Sequence, residues 1–457
     1  MSASPPVRVG DDLRVEIVDL AFGGRGVARS SGFVVFVKGA LPGERARVRV
    51  RRVHPGFAEA DCLAILEPSS DRVTPPCRHF GECGGCDLQH LSHRAQADAK
   101  RLQIEALLKR VANLDAPPVR AAAPVGDPTQ YRFRMDFDWG TGPDGRPILG
   151  LHRAGRAGSI LPIQVCHLMP DPANRIRDLF GRGVAEKGLT AWDARRRKGL
   201  MRRLSIQMAR VTGEILITLE TGRGDPPALR ELAGAGARAF PRIVGIVRRE
   251  FDRNDRLAGE SILHGRDHLF EEVDGDRFKI PAGAFFQPNA TAWSALREVV
   301  TDELEPGAED TILELYCGVG FFTLPLARRC RRIVALDSSR EAAAAARDNA
   351  ARAGIANARF VCGDAADGLP ELLKVKRLDA ILLDPPRTGL PRAVARTLSR
   401  AAARRMVYVA CDPATLARDL KVLTGEGPWR LRSVSPLDLF PLTHHTECVV
   451  RLDREGT

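Results

Sequence analysis

No run of apolar residues in this 457-residue chain approaches the ~18 that a membrane-crossing helix needs. Residues 1–12 lack the basic stretch followed by an apolar stretch that marks an export signal, so the expected location is the cytoplasm. Internal repeats are absent, and the Ala-rich stretch 342–346 is expected to be helix rather than low complexity. With 44% hydrophobic and 28% charged residues the composition is neither that of a disordered chain nor that of a membrane protein. At ~150 residues per domain the length suggests about three domains, which excludes a small disulfide-stapled scaffold.

What is present in excess is positive charge. Lys plus Arg exceed Asp plus Glu by 69 − 57 = 12, which is the balance expected of a protein with a polyanionic partner, although solubility alone accounts for it equally well. The ten cysteines should be reduced in a cytoplasmic chain, so a clustered subset points to metal binding or catalysis rather than disulfides.

Along the chain, residues 1–67 alternate in short segments. Leu13, Val15 and Ile17 face one way, turns at 23–26 and 42–43 follow, and the pattern reads as a small antiparallel barrel of the OB-like kind. Arg45, Arg47, Arg49 and Arg51 share the face opposite Ala46, Val48 and Val50, giving either a solvated surface or a surface for an RNA backbone. Residues 68–280 form a central β-rich α+β region. It opens with a cysteine-rich loop, a helix capped by Ser92 and running to about Ala112, and a strand in which Tyr131, Phe133, Met135, Phe137 and Trp139 alternate with polar residues. Strands over 204–209 and 215–219 follow, and the basic run Arg195, Arg196, Arg197, Lys198, Arg202 and Arg203 ahead of them reads as a solvated loop rather than a specific site. Residues 281–457 change to strand and helix in alternation: strands over 311–316, 332–337, 358–364, 378–384 and 405–411, helices over 323–330, 339–354, 366–374, 390–401 and 413–424. That is the signature of a doubly wound, Rossmann-like α/β sheet, whose ligands collect at the carboxyl ends of its strands.

The first of those strands ends in Glu314-Leu315-Tyr316-Cys317-Gly318-Val319-Gly320, and Asp337 ends the next strand 17 residues after Gly320. Gly318 and Gly320 let a ligand approach the backbone, and Asp337 can accept from ribose hydroxyls. A single G-x-G suits S-adenosylmethionine (SAM), which has a ribose and no pyrophosphate; a structural tight turn is the alternative. Asp364, ending the third strand, is a candidate adenine contact. Asp384-Pro385-Pro386-Arg387 ends the fourth. The fifth delivers Cys411 at the opening of a helix, where backbone N–H groups and the helix dipole favour a thiolate nucleophile. Cys317, Cys330, Cys362 and Cys448 read as inert core thiols. Glu447 is a candidate general base, with a surface acid as the alternative. His444 and His445 lack the companion spacing of a metal site.

The segments 384–389 (Asp-Pro-Pro-Arg-Thr-Gly), 408–415 (Tyr-Val-Ala-Cys-Asp-Pro-Ala-Thr) and 440–447 (Phe-Pro-Leu-Thr-His-His-Thr-Glu) resemble the paired motifs of the SAM-dependent RNA uracil-5-methyltransferase family, which modifies transfer and ribosomal RNA. Residues 284–289, Ala-Phe-Phe-Gln-Pro-Asn, are similar to the family segment whose glutamine touches SAM, and residues 5–67 resemble its RNA-binding barrel, called TRAM. The resemblance implies Cys411 as nucleophile, Glu447 as base, and Gln287, Tyr316, Asp337, Asp364 and Asp384 around SAM and uracil. Phe321 stands where the family commonly has Asn, and Ala410 and Asp412 where Ser and Asn commonly flank the nucleophile; an Asp beside Cys411 is expected to oppose the thiolate.

Cys77, Cys83 and Cys86 are spaced C-x5-C-x2-C, with Cys166 80 residues beyond. Four thiolates suit zinc or a [4Fe–4S] cluster, and spacing does not choose between them; the resemblance implies the iron–sulfur cluster. The expected protein is therefore a monomer acting on RNA away from membranes, with ribosomal RNA preferred because barrel and cluster together resemble the ribosomal branch. Two rivals stand beside it: an amino-group methyltransferase using Asp384-Pro385-Pro386-Arg387, and an RNA-binding or assembly factor without catalysis.

Overall fold

Side chains on a strand alternate between its faces, and the N-terminal segments use that alternation to close on themselves. In the computed structural model, which describes residues 5–224, 227–374 and 377–456, five strands form a closed barrel. They are Asp12–Ala21, Arg25–Ser30, Phe33–Lys38, Arg45–Val53 and Phe57–Glu67, with the fifth strand lying between the third and the fourth. Val15, Ile17, Val35, Val37, Val48 and Val50 fill its interior. Residues 1–4 of the segment considered above for an export signal lie outside the described residues, and among those residues no helix is long and apolar enough to cross a membrane.

The arginine face of Arg45–Val53 is not the wholly cationic surface expected. Arg49 pairs with Asp12 at 2.7 Å, Arg51 with Asp61 at 2.7 Å and Arg45 with Glu67 at 2.8 Å. The cause is register: the antiparallel neighbours bring Asp12 opposite Arg49 and Glu67 opposite Arg45.

A second sheet has seven strands, in the order Leu257–Gly265, Ile243–Phe251, Ile215–Thr221, Met201–Met208, Arg134–Thr141, Pro147–Arg153 and Arg156–Pro162. Helices Asp171–Glu186 and Pro227–Ala239 bury Phe180, Val184, Leu229 and Leu232 against it. The strand expected over 131–139 begins only at Arg134. Residues 131–133 pair elsewhere: Arg132 bridges Asn289, and the Phe133 N–H donates to the Pro288 carbonyl at 2.9 Å.

The third sheet carries the expected alternation, with element ends within about three residues of those expected. Its order is Ala358–Cys362, Arg332–Asp337, Thr311–Leu315, Ala380–Leu383, Arg405–Ala410, Glu447–Arg454, Trp429–Asp438 and Ala123–Pro124. The first five are parallel, and Glu447–Arg454 is antiparallel to both neighbours. Chain order reverses beside Thr311–Leu315, so the crevice at the carboxyl ends there is the place for a ligand.

Residues 93–124 precede the central sheet in sequence yet join the third one. Ser92 caps helix His93–Val111 by accepting from the Ala95 N–H at 3.4 Å, and the helix buries Ile104 and Leu108 in the apolar layer of the C-terminal sheet. On its inner face Lys100, 1% exposed, donates to Asp438 at 2.6 Å and to the Phe440 carbonyl at 3.1 Å.

Removing one partner of a buried ion pair strands the other charge, at a cost of about 3–5 kcal/mol. Lys100→Met is therefore expected to lower the thermal midpoint by several degrees, and Lys100→Met with Asp438→Leu to recover most of the loss; differential scanning fluorimetry of the two variants measures both.

Candidate active site

Parallel register brings the strand ends to one level. Leu315 lies opposite Leu336 and Leu383, and Leu383 opposite Tyr408, so Tyr316, Asp337 and Asp384 emerge along one edge. Tyr316 takes a left-handed backbone, φ 64°, and Gly318 and Gly320 follow at φ 56° and 90°, folding the chain into a tight loop at the strand end. Asp337 fixes that loop: one carboxylate oxygen accepts the Gly318 N–H at 2.8 Å, and the other accepts the Ser339 N–H at 2.8 Å. Each oxygen retains a further lone pair for a ribose hydroxyl. Asp364 is exposed and caps helix Ala365–Leu372 through the Ala366 N–H.

The antiparallel strand completes the edge. Ala410 is opposite Cys448, so continuing the register by one residue sets Cys411 beside Glu447. Glu447 is 3% exposed. Burial, and after it the Asp384 carboxylate, hold its acid well above the ordinary carboxylate range, with Arg387 opposing. Asp384 is also raised, by burial first; the Gln287 amide, donating to it at 2.9 Å, opposes the shift and Asp337 adds to it. The Gln287 carbonyl accepts from the Trp293 indole, which fixes the segment.

Cys411 departs from expectation. The N–H groups at the start of helix Pro413–Gly425 do not serve the sulfur; Asp412 caps the helix by accepting from Ala414 and Thr415, both at 2.9 Å. The Cys411 thiol is pushed up to about 12, chiefly by burial and next by Glu447. Asp412 opposes the thiolate as expected, but it is the smallest of these contributors, its carboxylate being engaged by the helix amides. Arg387 is the cation that lowers the value.

Phe321 is core rather than ligand-facing. It packs edge-on against Phe286 at 5.4 Å and Phe322 at 4.9 Å, with the Arg297 guanidinium 5.1 Å from its ring. Three further residues went unassigned in the sequence. Arg387 acts on Cys411, Glu447 and His445 together, and its place inside the 384–389 motif was the available signal. Glu314, buried in the apolar strand Thr311–Leu315, is pushed up to about 8 by burial while accepting from the Thr323 hydroxyl at 2.6 Å; a lone acid in an apolar strand was its signal. His444 pairs with Asp87 at 2.6 Å, a contact across more than 350 residues that no local pattern discloses.

Cys77, Cys83, Cys86 and Cys166 line one small cavity, although among the described residues no three His, Cys, Asp or Glu groups converge closely enough to chelate a single metal ion. Burial pushes the Cys86 thiol up to about 12 and raises Cys83 and Cys166. The loop is tied to the Glu447 segment: the N–H groups of Asp87 and Leu88 both donate to the Leu442 carbonyl, at 3.1 and 3.0 Å.

A doubly wound sheet with a glycine loop, an acid after its second strand and a cysteine–carboxylate pair across an antiparallel register defines a SAM-dependent transferase of the Rossmann-like class. Residues 255–455 match the family model of tRNA (uracil-5-)-methyltransferases, and residues 6–63 that of the TRAM domain. An RNA methyltransferase of Halalkalibacterium halodurans is 32% identical over 452 residues, 98% of either chain, and one of Nostoc sp. is 32% identical over 441 residues, 96% of this chain and 95% of that protein. The crystal structure of Pyrococcus abyssi tRNA (uracil-54, C5)-methyltransferase with S-adenosyl-L-homocysteine is 25% identical, with a TM-score of 0.73, covering 96% of this chain and all of that one. The chain belongs to the RNA uracil-5-methyltransferase family, whose enzymes use SAM.

Only thiolate alkylates, so the rate of Cys411 alkylation by iodoacetamide is expected to rise about tenfold per pH unit through neutral and mildly alkaline pH. Glu447→Gln removes a carboxylate that raises the thiol and should speed the reaction at a given pH, whereas Arg387→Gln should slow it; peptide-resolved mass spectrometry reads position 411 among the other cysteines.

Proposed function

We propose that this enzyme methylates C5 of a uridine in ribosomal RNA through a covalent adduct of Cys411. The observation that supports this reading is the pairing of Cys411 with Glu447 across the Ala410–Cys448 register, beside Asp384. Uracil C5 is too weak a nucleophile to attack a methyl sulfonium. Addition of the Cys411 thiolate to C6 breaks the C5–C6 π bond and places its electrons in an enolate over C5 and O4. C5 then takes the methyl group, the methyl–sulfur bond electrons remain on sulfur, and S-adenosylhomocysteine forms. Glu447, ionised, removes the C5 proton; that electron pair restores the C5–C6 bond and expels the thiolate. Arg387 is the charge that favours the thiolate. Asp384, steadied by Gln287, would hold the polar edge of the base; Gly318, Gly320, Tyr316, Asp337 and Asp364 would surround SAM. The uridine must leave its stack to reach this edge, which favours loops and splayed strands.

Under this reading the barrel over 1–67 and the central region over 68–280 present RNA to the methyltransferase region over 281–457, in a monomer. Cys77, Cys83, Cys86 and Cys166 would hold a [4Fe–4S] cluster: four cysteine thiols line one cavity, a donor set that such a cluster takes. Bound there, the group supplies a structural cross-link, because methyl transfer consumes no electrons. Transfer RNA is the second target reading, favoured by the full-length likeness to the Pyrococcus abyssi enzyme.

With RNA containing 5-fluorouridine, whose C5 has no proton to surrender, the wild-type enzyme is expected to stop as an adduct at Cys411. Cys411→Ala should give no adduct and only background methylation, and normal turnover in that variant would end the mechanism. Glu447→Gln should slow turnover by roughly 10²–10⁴-fold, the usual scale for a lost general base, while adduct accumulates on ordinary RNA. Mass mapping of uridine methylation in ribosomal and transfer RNA from cells lacking the protein separates the two targets.

A further inference from the structure

The anticipated cationic face of the barrel is largely neutralised. Arg45, Arg49 and Arg51 are each matched by a carboxylate, whereas the run read as a solvated loop borders an open cleft at the far end of the central sheet. Trp192, Arg197, Lys198, Arg223, Phe251 and Arg253 line that cleft, and the four cations among them face a single carboxylate, Asp252. Asp252 turns one oxygen to the N–H groups of Asn254 and Arg256, at 2.8 and 3.0 Å. Among the described residues Lys198, Arg223 and Arg253 have no ion-pair partner, and Arg197 reaches only the neutral Asn254 amide oxygen at 3.2 Å.

The aromatic floor is already taken. The Arg202 guanidinium lies 3.7 Å from the Trp192 ring centroid and is itself neutralised by Asp255, while Gly222 presses on the same indole. What the cleft offers is therefore mainly unpaired positive charge in a concavity, the arrangement that follows a phosphate backbone without reading sequence.

Strand Met201–Met208 starts beside the cleft and ends where the Met208 N–H meets the Phe133 carbonyl, next to the Gln287 segment. Eight residues at ~3.3 Å each place the cleft roughly 25 Å from the Gln287 segment, which borders the catalytic edge through its bond to Asp384. We infer that the cleft formed by Arg197, Lys198, Arg223 and Arg253 is a second, sequence-independent binding site for the sugar–phosphate backbone of the RNA substrate, outside the catalytic edge. This rests on the reading of the enzyme as one that acts on RNA.

At ~3.4 Å per stacked nucleotide a strand needs about seven residues to cover that distance. The test compares oligouridylates of about five and about twenty residues, the short one below that reach and the long one above it, binding to wild-type protein and to the variant Arg197→Gln, Lys198→Gln, Arg223→Gln, Arg253→Gln. For the long probe the variant should bind at least tenfold more weakly at low salt, and the slope of log affinity against log salt should fall by on the order of 2–3, at ~0.7 per phosphate released on a single strand. The short probe should bind both proteins alike, and SAM binding should be unchanged.

Substituting the three arginines by lysine should preserve the long-probe affinity; loss there as in the glutamine variant overturns a site made by charge. Equal affinities and slopes for wild type and glutamine variant on the long probe overturn the inference, as does equal weakening on both probes. Capture of anionic phospholipid vesicles through these residues, with no change in RNA binding, also overturns it. Failure of the wild-type enzyme to form the 5-fluorouridine adduct is a separate result and counts against the catalytic reading instead.

Discussion

One antiparallel register governs the chemistry of this molecule. In a sheet of parallel strands alone, every carboxyl end points to the same edge and every amino end to the other. Glu447–Arg454 runs against Arg405–Ala410, so its first residue arrives at the edge where the neighbouring strand delivers its last. A residue that begins one strand and a residue that follows another thus come side by side, and a slip of one position would turn Glu447 to the other face of the sheet. The pairing of Trp429–Asp438 on the far side of the same strand makes that slip costly.

The segment between those two strands carries no regular structure and is held from outside. Lys100 reaches Asp438 and the Phe440 carbonyl; Asn289 donates to the Leu439 carbonyl at 2.9 Å; the Tyr131 hydroxyl donates to the Pro441 carbonyl at 3.2 Å; the Leu442 N–H donates to Gln96 at 2.8 Å. Each partner comes from residues 96–289, far away in sequence. Leu442 itself sits at φ 68°, a conformation that a leucine keeps only where its surroundings impose it. The regions N-terminal to the doubly wound sheet therefore fix the backbone from which Glu447 emerges.

Much of this was legible in the sequence because it is local. Strand and helix periods from residue 310 onward, the Ser92 cap, the glycine loop and the barrel alternation all follow from neighbouring residues, and the five parallel strands form within a few positions of where the pattern placed them. What escaped reading is what depends on pairing between distant segments. A face of four arginines looks cationic until the register supplies Asp12, Asp61 and Glu67. Tyr131 and Phe133 carry the alternation of a strand, but the Tyr131 carbonyl and the Phe133 N–H go to the Asn289 segment. Asp412, adjacent to a thiol, does oppose the thiolate, but it is the last of the contributors, and the helix it caps is not visible from the neighbouring residues.

That cap also settles which charge can help the nucleophile. With the first free amides of helix Pro413–Gly425 occupied by Asp412, the helix terminus is satisfied internally and Arg387 remains the stabilising cation for a Cys411 thiolate. A single exposed guanidinium is useful only if its backbone is fixed, and the loop that bears it is braced from below. Asp419, buried in the same helix, accepts the Tyr408 hydroxyl and the Leu390 N–H, each at 2.8 Å, and pairs with Arg418 at 2.7 Å. Arg418 in turn donates to the carbonyls of Thr388 and Leu390 at 2.9 and 3.2 Å. Gly389 permits this approach: it lies at φ 70°, and a Cβ there would fall 2.5 Å from the Asp419 carboxylate. The helix that withholds its amides from the sulfur thus returns electrostatic support through the loop it holds, and that close approach requires the glycine of the 384–389 motif.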